Sequence, residues 1–268
     1  MYKAVFIDID GTLLKSDHSI SEATFDIIQK LKEKNILVIL VSARPLSGIL
    51  PIVIETGLLN YPVASLNGAY IATNGKIMFD SIIDVATIIQ VHEKLQQYNA
   101  TLIYYGQSQC FSESRNISTD NEQKITSIAI TIQPFIDTLK YWKYSNTGPN
   151  KLLVIAEAAV TNEIQYNLKQ QFINHLNIYT SKPTYLEVMN IEASKINAVR
   201  LLIHRYNIKR EETIAIGDNF NDKEMIAFAG TGIAMGNAPD EVKAVANYIT
   251  DTNNKDGISK ALRKFMDL

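Results

Sequence analysis

The sequence predicts an α/β protein: a doubly wound, mostly parallel, Rossmann-like sheet core with an inserted α+β cap unit. Three observations carry this. Apolar stretches of strand length alternate with stretches of helical periodicity at both ends of the chain. The stretch Ile36 to Val41 is unbroken by polar residues, as a strand covered on both faces requires. Between about Ser81 and Met189 the texture changes, with frequent Tyr, Gln and Asn. Strand–helix alternation argues for right-handed βαβ units. The change of texture separates a core of residues 1–81 and 190–268 from an insert over 82–189.

Taken in order, residues 3–9 read as a strand. A helix follows with a capping box at Ser19-x-x-Glu22 and apolar positions Ala23, Ile27, Ile28 and Leu31. Strand 36–41 ends at Ser42-Ala43-Arg44, and Pro45 suits the first turn of the next helix, to about Gly57. Strand 63–65 leads to a hairpin, 69–72 and 76–80, around Asn74-Gly75 as a type I′ turn. In the insert, a helix near 83–98 precedes strands 101–105 and 109–113. The stretch 116–148 supports no single assignment. Strand 151–157, helix 161–173 and strands near 177–181 and 185–189 complete it. The core then resumes with helix 192–206, strand 213–216, strand 232–235, helix 239–246 and a terminal helix over 256–267.

The chain has 268 residues, 46% of them hydrophobic and 20% charged, with net charge −2. No basic tail supports nucleic-acid binding. The one cysteine, Cys110, excludes an internal disulfide and fits a reducing compartment. His18, His92, His175 and His204 lack zinc-ligand spacing. No apolar run approaches the roughly 18 residues of a membrane span, and acids interrupt the N-terminal run where a signal peptide would be apolar. A cytoplasmic protein without membrane or nucleic-acid partners is expected.

The most informative residues are acids placed after apolar strands. Asp8 and Asp10 flank Ile9, so on a strand their side chains point the same way. Gly11 permits a sharp turn beyond them. Asp218 and Asp222 follow strand 213–216 within Gly217-Asp218-Asn219-Phe220-Asn221-Asp222. A helix starting there would put both carboxylates on one face; helix capping by Asp222 is the competing explanation. In a parallel sheet both clusters open on one edge, where chemistry gathers. Several carboxylates on one edge call for a hard divalent cation, and Mg²⁺ suits a site that must also admit phosphate.

Four motifs in order then carry a resemblance: Asp8-Ile9-Asp10-Gly11-Thr12-Leu13-Leu14, Ser42-Ala43-Arg44-Pro45, Ser194-Lys195-Ile196, and Gly217 to Asp222. Ser65-Leu66-Asn67-Gly68-Ala69, Ile233 to Ala238 and Asp256-Gly257-Ile258 also match. The chain resembles the haloacid dehalogenase-like superfamily, specifically Cof-type phosphatases with a large inserted cap (type IIB). The resemblance implies hydrolysis of a small phosphorylated metabolite, such as a sugar phosphate, through an aspartyl-phosphate. Asp8 is then the nucleophile and Asp10 the acid/base. Asp8, Asp10 (through its carbonyl), Asp218 and Asp222 form the Mg²⁺ site. Ile9, Ser42, Ala43, Lys195 and Asn221 form the phosphate site. Ala43 and Ile196 replace glycines common in the family. A phosphomutase on a sugar phosphate and a catalytically quiet phosphometabolite-binding regulator are the alternatives. The implied state is a monomer or small homo-oligomer, with the cap choosing the substrate. Tyr104, Tyr105, Trp142 and Tyr185 are candidates for its pocket or its core.

Overall fold

A computed structural model describes residues 1–107, 109–126 and 128–266. The chain divides into two compact units: residues 1–43, 50–78 and 194 onward form the first, and residues 44–49 and 79–193 the second.

The first unit begins β1 (Ala4–Asp8), α1 (Glu22–Glu33), β2 (Leu37–Val41), α2 (Leu46–Glu55), β3 (Val63–Ser65), β4 (Tyr70–Thr73) and β5 (Lys76–Asp80). The last two straddle the Asn74-Gly75 turn, where both residues have positive φ, 44° and 74°, as a type I′ turn requires. Every residue of β1 is buried, and four of five in β2. The helix α1 is capped by Ser21, whose side chain accepts from the Thr24 amide. The expected box from Ser19 does not form, because Ser19 is bound to the Asp17 carboxylate instead.

The second unit supplies α3 (Val85–Leu95), β6 (Thr101–Tyr105), β7 (Cys110–Ser112), α4 (Ile117–Thr126), β8 (Ile130–Ile132), α5 (Phe135–Ser145), β9 (Lys151–Ile155), α6 (Ala158–Phe172), β10 (Leu176–Lys182) and β11 (Tyr185–Asn190). The unassigned stretch 116–148 is thus helix, strand, helix. Its strands form a sheet in the order β10-β11-β9-β6-β7-β8. One face packs on an apolar cluster that includes Leu102, Tyr104, Phe135, Trp142, Val154, Leu168 and Val188. Tyr104 and Trp142 therefore serve the core. Tyr105, one residue on and facing the other way, donates to Glu122 at 2.6 Å.

The chain returns to the first unit with α7 (Lys195–Arg205), β12 (Thr213–Gly217), α8 (Lys223–Phe228), β13 (Thr231–Ala234), α9 (Asp240–Lys243), β14 (Tyr248–Ile249) and α10 (Gly257–Phe265). Two departures from expectation occur here. The helix over 239–246 shrinks to α9, and the short edge strand β14 was not anticipated. Residue 267 of the expected terminal helix lies outside the described residues. The sheet order is β14-β13-β12-β1-β2-β3-β4-β5. Its pairings are parallel from β14 to β3, and β4 runs antiparallel to β3. This order places β1 centrally, with β12 and β2 on its flanks. The carboxyl ends of all three strands therefore lie side by side. Among the described residues no helix is long and apolar enough to cross a membrane.

Candidate active site at the strand ends

Asp8 is the last residue of β1, paired with Val41 of β2. The chain turns at once: the amides of Thr12 and Leu14 donate to the Ile9 carbonyl, and that of Leu13 to the Asp8 carbonyl. This corrects the strand expected over 3–9. Ile9 is buried, but Asp10 sits in the turn and is exposed. Strand alternation does not govern it.

The buried carboxylates of Asp8 and Asp222 and the half-buried one of Asp218 offer oxygens all within 4.8 Å of one another. Lys195, the first residue of α7, reaches into them. Its Nζ lies 2.6 Å from Asp8 Oδ1 and 2.6 Å from Asp222 Oδ1. These are short, charge-assisted bonds in a setting where Lys195 is 2% exposed and Asp222 0%. The lysine is aimed by its helix start, where the Ser194 hydroxyl caps the Asn197 amide.

Asp222 does not open a helix together with Asp218. Residues 220–222 form a 3-10 turn, and α8 begins after it. Its Oδ2 folds back to accept from the amides of Asp218 and Asn219, at 3.0 and 2.9 Å. Capping and site chemistry thus divide between the two oxygens of one carboxylate. Gly217 makes room for this, since a Cβ there would lie 2.5 Å from Asp222 Cβ.

Asp218 is held by Thr12 Oγ1, donating at 2.9 Å, and by Asn237 Nδ2, donating at 3.1 Å. Asn237 also donates to the Gly11 carbonyl at 2.9 Å. Sequence reasoning did not single out these two residues. The signal was present in Thr12 within the first motif and in Gly236-Asn237 after β13. Gly11 has φ of 82°, and a Cβ there would collide with the Asp218 carboxylate.

Burial first, and then the Asp222 charge, push the Asp8 carboxyl well above the usual carboxylate range; Lys195 pulls against the rise and Asp218 adds to it. Burial and Asp222 likewise raise Asp218 to about 6. Burial opposes the charge on Lys195, but Asp222 and Asp8 outweigh it and hold the ammonium above the ordinary lysine range. One ammonium cannot balance three clustered carboxylates. The excess negative charge and all-oxygen donor set fit a hard divalent cation. Asp222 is the most heavily bonded of the three, with Oδ1 on Lys195 and Oδ2 on two backbone amides, so Asp8 and Asp218 are the better placed direct ligands.

The remaining expected residues lie around this cluster. Ser42 and Ala43 follow β2 directly. The Ser42 amide donates to the Ala64 carbonyl, and the Ser42 carbonyl accepts from the Asn67 amide, both at 2.8 Å. Asn221, in the 3-10 turn, donates from Nδ2 to Asn67 Oδ1 at 2.9 Å. Leu66, Asn67 and Gly68 have φ of 49°, 54° and 86°. A left-handed leucine costs about 1–3 kcal/mol and persists only where its surroundings impose it.

A doubly wound sheet that gathers acids and a buried lysine at adjacent strand ends defines an α/β protein whose site is suited to a cation and an anionic substrate. A family model for haloacid dehalogenase-like hydrolases matches residues 5–262, and the chain belongs to that family. It is a phosphatase of the Cof type. A putative phosphatase of Haemophilus influenzae is 36% identical over 266 residues, covering 98% of each chain. A Bacillus subtilis 5-amino-6-(5-phospho-D-ribitylamino)uracil phosphatase is 26% identical, covering 98% of this chain and 97% of its own. The crystal structure of a haloacid dehalogenase-like hydrolase from Bacteroides thetaiotaomicron superposes with a TM-score of 0.88 at 27% identity. It covers 99% of this chain and all of its own.

Proposed function

We propose that this phosphatase is Mg²⁺-dependent and hydrolyses small phosphomonoesters, sugar phosphates or similar metabolites, through an aspartyl-phosphate on Asp8. The observation that carries this is the contact of Lys195 Nζ with Asp8 Oδ1 at 2.6 Å. The lysine fixes one oxygen of a buried carboxylate and keeps a permanent positive charge where a phosphate would arrive. Phosphoryl transfer is mostly positioning and charge stabilisation.

In the first step an Asp8 oxygen forms a bond to phosphorus as the ester P–O bond breaks, and Asp10 gives its proton to the leaving oxygen. In the second, Asp10 takes a proton from water, which attacks phosphorus and frees Asp8. The exposure of Asp10 suits a group that must exchange protons with solvent. Lys195, Ser42 and the second Nδ2 proton of Asn221 hold the non-bridging oxygens, with the backbone at Ile9 and Ala43. Asp8 and Asp218, with the Asp10 carbonyl and Asp222 in support, would hold Mg²⁺, which supplies positive charge to the phosphoryl oxygens. The phosphorylated ribityl compound in the name of the Bacillus relative supports a small-metabolite substrate, with the insert over 82–189 selecting it.

A phosphomonoester panel with Mg²⁺ tests this, with p-nitrophenyl phosphate as the general probe. Asp8→Asn should abolish turnover. Activity retained in that variant defeats the nucleophile assignment, and an isomerised sugar phosphate without free phosphate would identify a mutase.

A further inference from the structure

The three consecutive left-handed residues after β3 adjoin Ser42, Asn221 and the start of α7. The Asn67 amide donates to the Ser42 carbonyl. The Asn67 Oδ1 accepts from Asn221 Nδ2. Gly68 is pressed against α7, because a Cβ there would lie 2.6 Å from the Ser194 carbonyl oxygen and 3.0 Å from Ala198 Cβ. Ser42, Asn221 and the residue preceding Lys195 are thus all touched by residues 67 and 68. Leu66 and Asn67 are 1% exposed.

Asn221 makes the arrangement informative. Its Oδ1 is buried and has no hydrogen-bond partner. A carboxamide bonded through both ends is fixed from two directions, whereas this one is held at its Nδ2 end. A buried carbonyl oxygen without a donor is unfavourable, so the orientation must be imposed from the Nδ2 side. The acceptor there is Asn67 Oδ1, carried on a left-handed backbone that Asn tolerates far better than branched or bulky residues. With one Nδ2 proton given to Asn67, the other has a defined direction.

We infer that Asn67 is a positioning residue of the phosphate site, setting the Asn221 carboxamide so that its second Nδ2 proton meets a phosphate oxygen. This rests on the proposed reading of Asn221 as a phosphate ligand. Asn67 itself touches no reacting atom.

The test is a double-mutant cycle read by inorganic phosphate, both as a competitive inhibitor of p-nitrophenyl phosphate hydrolysis and by calorimetry in Mg²⁺ buffer. Asn67→Gly keeps the left-handed backbone and removes the amide. We expect it to weaken phosphate binding about tenfold and to raise KM more than it lowers kcat. We expect Asn221→Ala to do the same, and the double variant to be no worse than either single one, as coupled neighbours behave. Additive losses would overturn the inference, as would normal phosphate binding in Asn67→Gly alongside weakened binding in Asn221→Ala. Normal phosphate binding in Asn221→Ala would instead remove Asn221 from the phosphate site, defeating that part of the functional reading. If Asn67→Gly does not fold, Asn67→Ser carries the same comparison, being too short to reach the Asn221 amide.

Discussion

Lys195 Nζ and Asp222 Oδ1 meet at 2.6 Å with both side chains almost wholly buried, while the other Asp222 oxygen is committed to two backbone amides. Asp222 is therefore anchored by the main chain and in turn anchors the lysine against Asp8. The order of dependence runs from backbone to Asp222 to Lys195 to Asp8.

Lys195→Met would leave Asp8, Asp218 and Asp222 facing each other without the ammonium. Removing one partner of a buried ion pair costs about 3–5 kcal/mol. The urea midpoint of the metal-free variant should fall accordingly at neutral pH, and Mg²⁺ should restore part of the loss by supplying the missing positive charge. An unchanged midpoint would mean that Lys195 is not holding the acids together.

Cation binding should stabilise the folded protein by about 2.7 kcal/mol at a hundredfold excess over its dissociation constant. Asp218→Asn should abolish the Mg²⁺-dependent rise in Tm. Asn237→Ala, which removes a donor that orients Asp218, should weaken Mg²⁺ binding about 10- to 100-fold while leaving the fold intact. Calorimetric titration with Mg²⁺ checks both.

Two glycines separate backbone strain from site geometry. Gly217→Ala would displace Asp222, whose Cβ lies 2.5 Å from the added methyl position; kcat should fall at least about tenfold if positioning carries the rate. Gly75→Ala meets nothing within 4 Å but has φ of 74°, so it should cost about 1 kcal/mol of stability and leave kcat alone. Equal effects on kcat would show that Asp222 placement is unimportant.

His92 gives the second unit a pH dependence. Its Nδ1 is 2.7 Å from the Tyr104 hydroxyl, its Nε2 3.1 Å from Gln96 and 3.6 Å from Glu113, and its ring stacks on Phe135. Burial lowers its pKa from 6.5, against the pull of Glu113 and Glu93. Below pH 6.5 the unfolded chain takes up a proton that the folded site resists. The stabilisation is complete above that pH and is lost as pH falls through the lower folded value. Denaturation midpoints measured from pH 7.5 to 5 should fall more steeply for the wild type than for His92→Gln. Parallel curves would exclude His92 as the source.

Legibility followed chain separation. The strands Val63–Ser65 and Thr101–Tyr105, the Asn74-Gly75 turn and the helix faces rest on neighbours in sequence, and local pattern reported them. The acids at 8, 218 and 222 were readable because Asp8 ends one buried apolar strand and the other two lie within five residues of the end of another. Strand alternation was extended past Asp8, where the hydrogen bonds of Leu13 and Leu14 already turn the chain, so the strand ends one residue earlier than its pattern suggests. Thr12, Asn237 and Asn67 act across 206, 19 and 154 positions, through partners that no periodicity relates. Residues 116–148 resisted assignment because α4 buries only Thr119 and Glu122 and so carries no apolar stripe, and strand β8 is partly exposed at a sheet edge.

The buried acids also set how a substrate finds the protein. Counted at formal charge, three carboxylates against one ammonium leave two negative charges, and the whole chain has a formal net charge of −2. All other charges cancel, so the rest of the surface has no net charge to draw a phosphorylated metabolite from a distance. Before a cation arrives, the mouth of the site repels an anion; afterwards the excess there is neutralised. A cation bound there would control the encounter as well as the chemistry, and phosphate association should be slow until it is in place.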